Sequence, residues 1–257
     1  NEANRIKDVG EGSLNVARIM DAGYSGKHRR PYIAMSYYPS SLERLLKQKR
    51  TASPPQWVTL DEAYALLQGA LEGVGDAHKA EIVHGDLKPA NILLDDNQNP
   101  RLADFGAARS LTGGNEFAVR GSSTWAAPET LPPDEVPPNE ASDLFSLGMI
   151  GYVLVAGRHP FFSDDPACVI GEDDNIKNDG FRPTTIADLN PRVDSDVAAL
   201  VERLLDRVPE NRHDAFARLK TRLADLLAPA VAPIPPGALP APGPPPWKGA
   251  GGDPCPS

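Results

Sequence analysis

One stretch of the chain, residues 59–106, constrains the fold most, because it combines a long helix signal, a polar loop and a hairpin signal. Thr59 and Glu62 have the spacing of a capping box, in which the side chain of each accepts a hydrogen bond from the backbone N–H of the other. The apolar residues that follow recur three and four positions apart: Ala63, Leu66, Leu67, Ala70, Leu71, Val74 and Ala77. This periodicity predicts an amphipathic helix from about Leu60 to Lys79.

Two short apolar runs after this helix predict a β-hairpin. Residues 92–94 read ILL and residues 101–103 read RLA, and the intervening residues 95–100 are rich in turn-forming types. Two polar segments flank the hairpin: residues 84–91, HGDLKPAN, precede it and residues 104–106, DFG, follow it. Since a hairpin brings its two outer ends together, we expect these segments to lie side by side.

The side chains of these two segments suit phosphoryl transfer. They include the carboxylates of Asp86 and Asp104 and the amide of Asn91. Such a site must hold Mg²⁺ through hard oxygen ligands and must orient a hydroxyl nucleophile, because negative charge spreads over the phosphoryl oxygens in the transition state. Lys88 lies two residues from Asp86 and can place a positive charge on the transferred phosphate.

The order of these and later motifs resembles the eukaryotic-type serine/threonine protein kinase family, including its bacterial Hanks-type members. HGDLKPAN is similar to the catalytic loop of that family, and DFG is similar to its metal-binding loop. Residues 127–129, APE, resemble the end of the activation segment, and residues 121–125, GSSTW, resemble the loop before it. Residues 142–148, SDLFSLG, resemble a buried helix, and Arg212 stands where the family has an arginine. The resemblance covers roughly residues 2–227.

The resemblance implies a role for each residue of the active site. Asp86 would be the catalytic base, Lys88 would contact the transferred phosphate, and Asn91 and Asp104 would help to bind the cofactor and hold the metal ion. The implied cofactors are ATP and Mg²⁺, or Mn²⁺ in its place. The implied partner is a protein with a Ser or Thr acceptor, since tyrosine kinases have a different pattern around the position of Lys88.

The resemblance also implies structural or regulatory roles for a wider set of residues. These are Glu2, His84, Phe105, Gly106, Ser122, Glu129, Asp143 and Arg212. Asp143 would anchor the backbone of the catalytic loop, and Arg212 would pair with Glu129.

The sequence departs from the family pattern inside the catalytic loop. Most members have Arg where this chain has Gly85, and that arginine commonly receives the phosphate of the activation loop, so we do not expect activation to depend on that contact. By the same resemblance, His84 is a packed ring near the phenylalanine of DFG, and Ser122 contacts the catalytic aspartate and lysine. Glu2 would lie near the regulatory-helix glutamate, although a solvated helix charge explains it equally well.

Residues 31–38, PYIAMSYY, resemble the strand and hinge that hold adenine. Met35 would be the gatekeeper, and Ser36, Tyr37 and Tyr38 would offer backbone hydrogen bonds; the alternative is an ordinary buried strand. Residues 10–12, GEG, are too close to this hinge to be the nucleotide loop, because the intervening residues cannot hold two strands and a helix. We expect a turn there, after the regulatory helix.

The predicted fold class is α+β, a protein-kinase-like fold made mainly of the helical C-terminal lobe, with the last N-lobe elements and the hinge. Residues 1–228 form the partial kinase domain, in which residues 1–38 are the remnant of the N-lobe and the hinge and residues 39–228 are the C-lobe. The proline-rich residues 229–257 are expected to be an extended or disordered linker. Further helices are predicted at three places: Asp143 to about Ala156 with Gly157 as its stop, Asp194–Leu205, and Asn211–Leu227.

The predicted function is transfer of the γ-phosphoryl group of Mg-ATP to protein Ser or Thr hydroxyls. The glycine-rich loop and the lysine strand of the family have no counterpart in the chain, so we expect the chain as given to be an incomplete piece that is inactive and binds ATP poorly. One alternative is a pseudokinase that acts as a scaffold. Another is a small-molecule kinase resembling aminoglycoside phosphotransferases, but these usually have His at the position of Lys88 and lack APE.

Charge and hydropathy exclude two classes of partner. The formal net charge of −9 argues against a nucleic-acid-binding protein, which would have a basic face. No apolar run approaches the roughly 18–20 residues that a membrane span needs. We therefore expect a cytoplasmic location, with possible tethering through a membrane or sensor domain beyond the linker. Cys168 and Cys255 are expected to be unpaired thiols.

Overall fold

A computed structural model describes most of the chain, namely residues 2–26, 30–54, 56–105, 109–110, 123–133, 136–161, 176–177 and 180–228. Its helices are α1 (Glu2–Gly12), α2 (Leu42–Thr51), α3 (Leu60–Lys79), α4 (Glu140–Ala156), α5 (Ile186–Leu189), α6 (Ser195–Leu204) and α7 (Arg212–Leu227). Its strands are β1 (Ile19–Ser25), β2 (Arg30–Met35), β3 (Ser40–Ser41), β4 (Ile82–Val83), β5 (Ile92–Leu94), β6 (Pro100–Leu102) and β7 (Arg109–Ser110). The predicted α+β class is confirmed.

Local capping determines where the predicted helices begin. Helix α3 has the predicted bounds, and the backbone N–H of Thr59 donates to Oε2 of Glu62 at 2.7 Å in the predicted capping box. Helix α4 begins at Glu140, before the predicted start at Asp143, because a second capping box upstream of that residue caps it. It ends at Gly157, as predicted, with a left-handed φ of 79° that glycine adopts without strain.

Small boundary differences occur at the last two predicted helices. Asp194 is the N-cap of α6 rather than its first residue, because its carboxylate accepts hydrogen bonds from the backbone N–H groups of Asp196 and Val197. Helix α7 begins at Arg212, because residues 209–211 form a short 3₁₀ turn before it. Helix α6 ends at Leu204, one residue before the predicted Leu205, and α7 ends at Leu227 as predicted.

The strands form three small antiparallel arrangements. Strands β5 and β6 are the predicted hairpin, and β3 extends them into a three-stranded sheet. Strands β1 and β2 pair with each other with an irregularity between Ile19 and Asp21, and β4 pairs with β7. The second strand of the predicted hairpin is Pro100–Leu102 instead of Arg101–Ala103, so the turn between the strands is residues 95–99.

Helices α3, α4, α6 and α7 pack around one hydrophobic core. Helix α4 is buried on nearly all sides, as its composition predicted. Gly148 lets α4 approach α6 closely, because a Cβ atom at this position would lie 2.7 Å from the Cβ of Leu204. Ser142 and Asp143 in the first turn of α4 are also buried, and Asp143 reaches the loop between β4 and β5.

Helix α2 and strand β1 have no counterpart among the sequence predictions, and neither do the short elements β3, β4, β7 and α5. Helix α2 is capped by the Ser41 side chain, but its apolar residues are confined to its first turns, so the periodicity is too short to detect. Strand β1 contains Gly23 and a bulge, which break the alternation typical of a strand. The turn predicted at residues 10–12 is wrong: these residues end α1, and the turn follows at Leu14 and Asn15.

Several predictions fall on residues that the structure does not describe. Gly106, Ser122, Cys168, Cys255 and the proposed linker at residues 229–257 lie outside the described residues. The contacts of the chain divide it into a compact unit, Asn1–Leu227, and a second unit, Ala228–Ser257. Among the described helices, none combines the length and the apolar character that crossing a membrane requires.

Candidate active site

Asp143, in the first turn of α4, holds the backbone of the loop that contains Asp86. Its Oδ2 accepts a hydrogen bond from the backbone N–H of His84 at 2.8 Å, and its Oδ1 accepts one from Gly85 at 2.9 Å. Nε2 of His78 on α3 lies 2.9 Å from Oδ2 and donates to it, since a carboxylate can only accept. A buried carboxylate with three donors is well satisfied, so the loop is held by the core of the protein.

Gly85 and Asp104 have left-handed backbone conformations on the two sides of the site. The φ of Gly85 is 75°, which glycine adopts at no steric cost. The φ of Asp104 is 60°, in the region where aspartate is several-fold enriched among the non-glycine residues. Gly85 turns the chain just before Asp86, and Asp104 turns it just after strand β6, so the two turns lie on either side of the Asp86 loop and the β5–β6 hairpin.

His84 connects the loop to the segment after the hairpin. Its Nε2 donates to the backbone oxygen of Ala103 at 2.9 Å, and its Nδ1 accepts a hydrogen bond from the backbone N–H of Asp86 at 3.3 Å. Its ring lies 4.7 Å from the ring of Phe105, centroid to centroid. Complete burial lowers the pKa of His84 below its usual value, so the ring is neutral with the proton on Nε2. A structural role fits these contacts better than acid–base chemistry.

Asp86, Lys88 and Asn91 form a compact cluster of polar side chains. Nζ of Lys88 donates to Oδ2 of Asp86 at 2.6 Å. Nδ2 of Asn91 donates to the backbone oxygen of Asp86 at 2.8 Å and lies 3.3 Å from its Oδ2. The amide of Asn91 therefore orients the carboxylate of Asp86, and the ammonium group of Lys88 lies beside that carboxylate.

Asn91 and Asp104 have the oxygen atoms that a magnesium or manganese ion needs. The contacts of Nδ2 fix the orientation of the Asn91 amide, and its Oδ1 accepts no hydrogen bond from the residues that the structure describes. The carboxylate of Asp104 is exposed and likewise makes no hydrogen bond or ion pair within the described residues. Two unpaired hard oxygen donors on adjoining segments fit a divalent cation that is completed by phosphate oxygens and water.

Arg212 is fully buried and forms an ion pair with Glu129, whose side chain is 16% exposed. Nη1 donates to Oε1 of Glu129 at 2.6 Å and Nη2 donates to Oε2 at 3.0 Å, the bidentate geometry that suits a guanidinium. Nη1 of Arg212 also donates to the backbone oxygen of Ala141 at 2.9 Å, and its Nε donates to the backbone oxygen of Asp206 at 2.8 Å. The ring of Phe145 lies 4.9 Å from the guanidinium carbon. Glu129 is thereby joined to the core through the first residue of α7.

Ser146, His159 and His78 contact this framework although sequence reasoning assigned them no role. Oγ of Ser146 donates to the backbone oxygen of Trp125 at 2.6 Å. Nε2 of His159 donates to the backbone oxygen of Thr124 at 3.1 Å, and burial lowers the pKa of His159 to about 4. A hydroxyl in a helix as apolar as α4 needs a hydrogen-bond partner, and this signal could have identified Ser146. His78 carries no such signal.

The predicted hinge follows β2 directly and leaves its backbone partly available. The N–H of Ser36 donates to the backbone oxygen of Arg18 at 3.0 Å, so only the carbonyl of Ser36 remains for a ligand. The N–H groups of Tyr37 and Tyr38 have no hydrogen-bond partner within the described residues. Met35 is the last residue of β2 and is half-exposed. Glu2 is the first residue of α1, and the position of its side chain is not described.

Comparison with known proteins identifies the family. The profile of the protein kinase domain family matches residues 1–223. Serine/threonine-protein kinase PknK of Mycobacterium tuberculosis is 35% identical over 202 residues, which cover 77% of this chain and 17% of that protein. PknB of Mycobacterium leprae is 28% identical over 197 residues, 75% of this chain and 30% of that protein. PknL of Mycobacterium tuberculosis is 30% identical over 214 residues, 82% of this chain and 49% of that protein.

The family match extends over most of the chain and confirms the resemblance that the motifs indicated. The chain spans less than half the length of each of these curated relatives. It also contains, in one place, the loop, hairpin and buried helix that the motifs predicted. This chain belongs to the protein kinase family, and its relatives are serine/threonine kinases of bacteria.

Proposed function

We propose that the protein transfers the γ-phosphoryl group of ATP to serine or threonine hydroxyls of protein substrates. The observation that carries this proposal is the cluster in which Lys88 and Asn91 both contact the carboxylate of Asp86. A carboxylate that is held in this way can accept the proton of an incoming hydroxyl, and the neighbouring ammonium group can stabilise the charge of the transferred group.

The remaining residues of the site supply binding and orientation. Asn91 Oδ1 and the Asp104 carboxylate would hold Mg²⁺ or Mn²⁺, which neutralises phosphate charge when it is bound. The carbonyl of Ser36 and the N–H groups of Tyr37 and Tyr38 would receive the adenine ring. Asp143 holds the backbone of the loop that contains Asp86 from the interior of the protein.

Serine/threonine specificity is supported by Lys88 and by the names of the relatives, all of which are serine/threonine-protein kinases. The Glu129–Arg212 pair supports a protein substrate rather than a small molecule, because it stabilises the APE segment, which small-molecule kinases lack.

The test is phosphate incorporation from radiolabelled ATP by the full-length protein, with Mg²⁺ and a generic protein substrate. Asp86→Asn retains the shape of the side chain but cannot accept the proton, so we expect the rate to fall by about 10²–10⁴-fold. Asp96→Asn is the matched control, because Asp96 is exposed in the β5–β6 turn, and its rate should equal that of the wild type.

Phosphoamino-acid analysis of the product then tests the specificity. Label on serine or threonine that is lost in Asp86→Asn supports the proposal. Undiminished transfer by Asp86→Asn contradicts the role of Asp86. No transfer by the wild-type protein, with ATP binding verified separately, would favour the pseudokinase alternative.

A further inference from the structure

Thr124 and Trp125, which lie just before the APE segment, are held by two side chains that the proposed function does not use. Oγ of Ser146 on α4 donates to the backbone oxygen of Trp125 at 2.6 Å, and Nε2 of His159 donates to the backbone oxygen of Thr124 at 3.1 Å. Because the two acceptors belong to consecutive residues, the path of the main chain is fixed at both. Thr124 and Trp125 are half-buried, so part of this 124–125 segment stays open to solvent.

His159 is itself fixed in one orientation. Its Nδ1 accepts a hydrogen bond from the backbone N–H of Phe161 at 3.2 Å, so the ring proton lies on Nε2, the atom that faces Thr124. The imidazole also meets the indole ring of Trp125 edge to face, with 4.9 Å between the two centroids. The buried imidazole is therefore held by three contacts and cannot turn away from Thr124 without losing them.

Helix α4 places the 124–125 segment beside the loop that contains Asp86. Asp143 binds the backbone of that loop, and Ser146, three residues later on α4, binds the backbone of Trp125. Side chains three residues apart are neighbours on one face of a helix, with their Cβ atoms about 5–6 Å apart. The same face of α4 therefore supports both the Asp86 loop and the 124–125 segment, and the two lie next to each other.

This geometry determines what surrounds the acceptor hydroxyl of a protein substrate. A serine or threonine hydroxyl that reaches the Asp86 carboxylate brings the residues on either side of it, because it is part of a polypeptide. Each residue of an extended chain spans about 3.3–3.6 Å, so the residues one or two positions from the acceptor reach an element that lies one helical turn away. The 124–125 segment is such an element, and its solvent-facing side is available for the contact.

We propose that Ser146 and His159 are positioning residues for the protein substrate, because they hold the 124–125 segment where it contacts the residues that flank the acceptor hydroxyl. The proposal rests on the proposed function, which supplies the acceptor. Each side chain acts through the backbone that it holds, and their donor atoms are directed at that backbone rather than at the hinge or the metal-binding residues. Loss of either hydrogen bond therefore weakens the binding of the protein substrate and leaves the binding of ATP unchanged.

The first test is the binding of fluorescently labelled, dephosphorylated casein to the full-length protein, measured by fluorescence anisotropy without ATP. Ser146→Ala removes the donor to Trp125, and His159→Leu removes the donor to Thr124 while filling a similar volume. Loss of one such hydrogen bond changes an equilibrium constant by roughly three- to tenfold, so we expect the Kd for casein to rise by that factor in each variant. His159→Gln keeps an N–H donor at the end of the side chain and should bind casein within about twofold of the wild type.

Initial rates of phosphate transfer to casein distinguish positioning of the substrate from a general loosening of the fold. Ser146→Ala and His159→Leu should raise the KM for casein about three- to tenfold and leave kcat and the KM for ATP within about twofold of the wild type, the pattern expected when an interaction supports substrate binding. A loosened fold would instead reduce the amount of active protein and lower kcat.

Thr221→Ala and His213→Leu are the matched controls. Oγ of Ser146 also lies 3.2 Å from the backbone oxygen of Ser142 in its own helix, and the exposed Thr221 on α7 makes the same kind of contact, at 3.2 Å. His213 is exposed, and its Nε2 lies 3.7 Å from Oε2 of Glu140. Neither control residue holds the 124–125 segment, so both variants should bind casein as the wild type does.

Two results would overturn the proposal. One is the same casein binding in the wild type, Ser146→Ala, His159→Leu and the controls, or no saturable binding in any of them. The other is a KM for ATP that rises as much as the KM for casein. If the wild type transfers phosphate while casein binding is the same in every variant, the proposed function stands and the positioning role is wrong. Weaker casein binding by the two variants of a wild type that transfers no phosphate would support the positioning role and contradict the proposed function.

Discussion

At the scale of single residues, buried histidines act here as neutral hydrogen-bonding groups. His159 donates from Nε2 to the backbone oxygen of Thr124 and accepts at Nδ1 from the N–H of Phe161 at 3.2 Å. His84 has the same pattern of one donor and one acceptor nitrogen. Protonation would turn each acceptor nitrogen into a donor that faces an N–H group, so both rings hold the site only while they are neutral.

The stability of the protein should therefore fall as the medium becomes acidic. The folded-state pKa of His159 is about 4, because burial disfavours the charged ring, while an unperturbed histidine titrates near 6.5. The unfolded chain binds the proton first as the pH falls, so the stability is fully present above about pH 6.5 and is lost toward pH 4. The loss from His159 alone should be about 2 kcal/mol between pH 7 and pH 5.

Urea unfolding at several pH values measures this dependence, and His159→Gln provides the comparison. The variant should be less stable at pH 7 but should lose less free energy of unfolding between pH 7 and pH 5. Parallel pH profiles for the two proteins would show that His159 is not the titrating group. His84, whose pKa is also lowered by burial, remains in both proteins and contributes in the same direction.

At the scale of elements, a few buried polar side chains join helices to the loops of the site. Asp143 joins α4 to the loop that contains Asp86, and Arg212 joins α7 to the APE segment. The Arg212 guanidinium also reaches Ala141 in α4 and the chain before α7, so it links three parts of the fold. Such links hold loops in place although the loops have little secondary structure of their own.

Removing one of these links should be strongly destabilising. Arg212→Ala removes the donors to the Glu129 carboxylate and to the backbone oxygens of Ala141, Asp206 and Arg207, so we expect a loss of about 3–5 kcal/mol in the free energy of unfolding. Arg218→Ala is the matched control, because the Arg218–Asp214 pair on the same helix is exposed and should contribute about 0.5 kcal/mol or less. Urea denaturation of both variants measures the difference, and a loss below about 1 kcal/mol for Arg212→Ala would contradict the prediction.

At the scale of the whole molecule, an apolar face remains exposed on the β1–β2 pair. Tyr24, Ile33 and Met35 lie on one face, since Ala22 pairs with Ile33 and side chains two positions apart point the same way. Ile33 is 60% exposed and Tyr24 is 66% exposed. A two-stranded sheet with an uncovered apolar face is only marginally stable and tends to bind other apolar surfaces.

We therefore expect this chain to self-associate through the β1–β2 face. Ile33→Glu places a charge in the proposed contact. At concentrations where the wild type associates, we expect this variant to have a lower weight-average molecular mass, measured by sedimentation equilibrium. Val136→Glu is the control, since Val136 is 42% exposed but lies outside the sheet. Equal masses for the two variants would locate the association elsewhere.

Features that depend on residues close together in the chain can be predicted from the sequence alone. The capping box of Thr59 and Glu62, the apolar period of α3, the β5–β6 hairpin and the stop at Gly157 all follow from local backbone chemistry, and the structure confirms them. The order of the motifs was sufficient to indicate the family, and the family match confirms it. Where the local signal is short or interrupted, as in α2 and β1, sequence reasoning failed.

Contacts between groups that are distant in the sequence depend on the packing of the whole fold. The contacts of Asp143 with His84 and Gly85 span almost sixty residues, and the pairing of Arg212 with Glu129 spans more than eighty. His78 and His159 acquire their partners only when α3 and α4 pack and when the chain after α4 returns beside Thr124. Spacing in the sequence carries no information about such meetings, because the packing of the buried helices determines them. A family pattern can suggest them, but only the assembled core gives each buried polar group its partner.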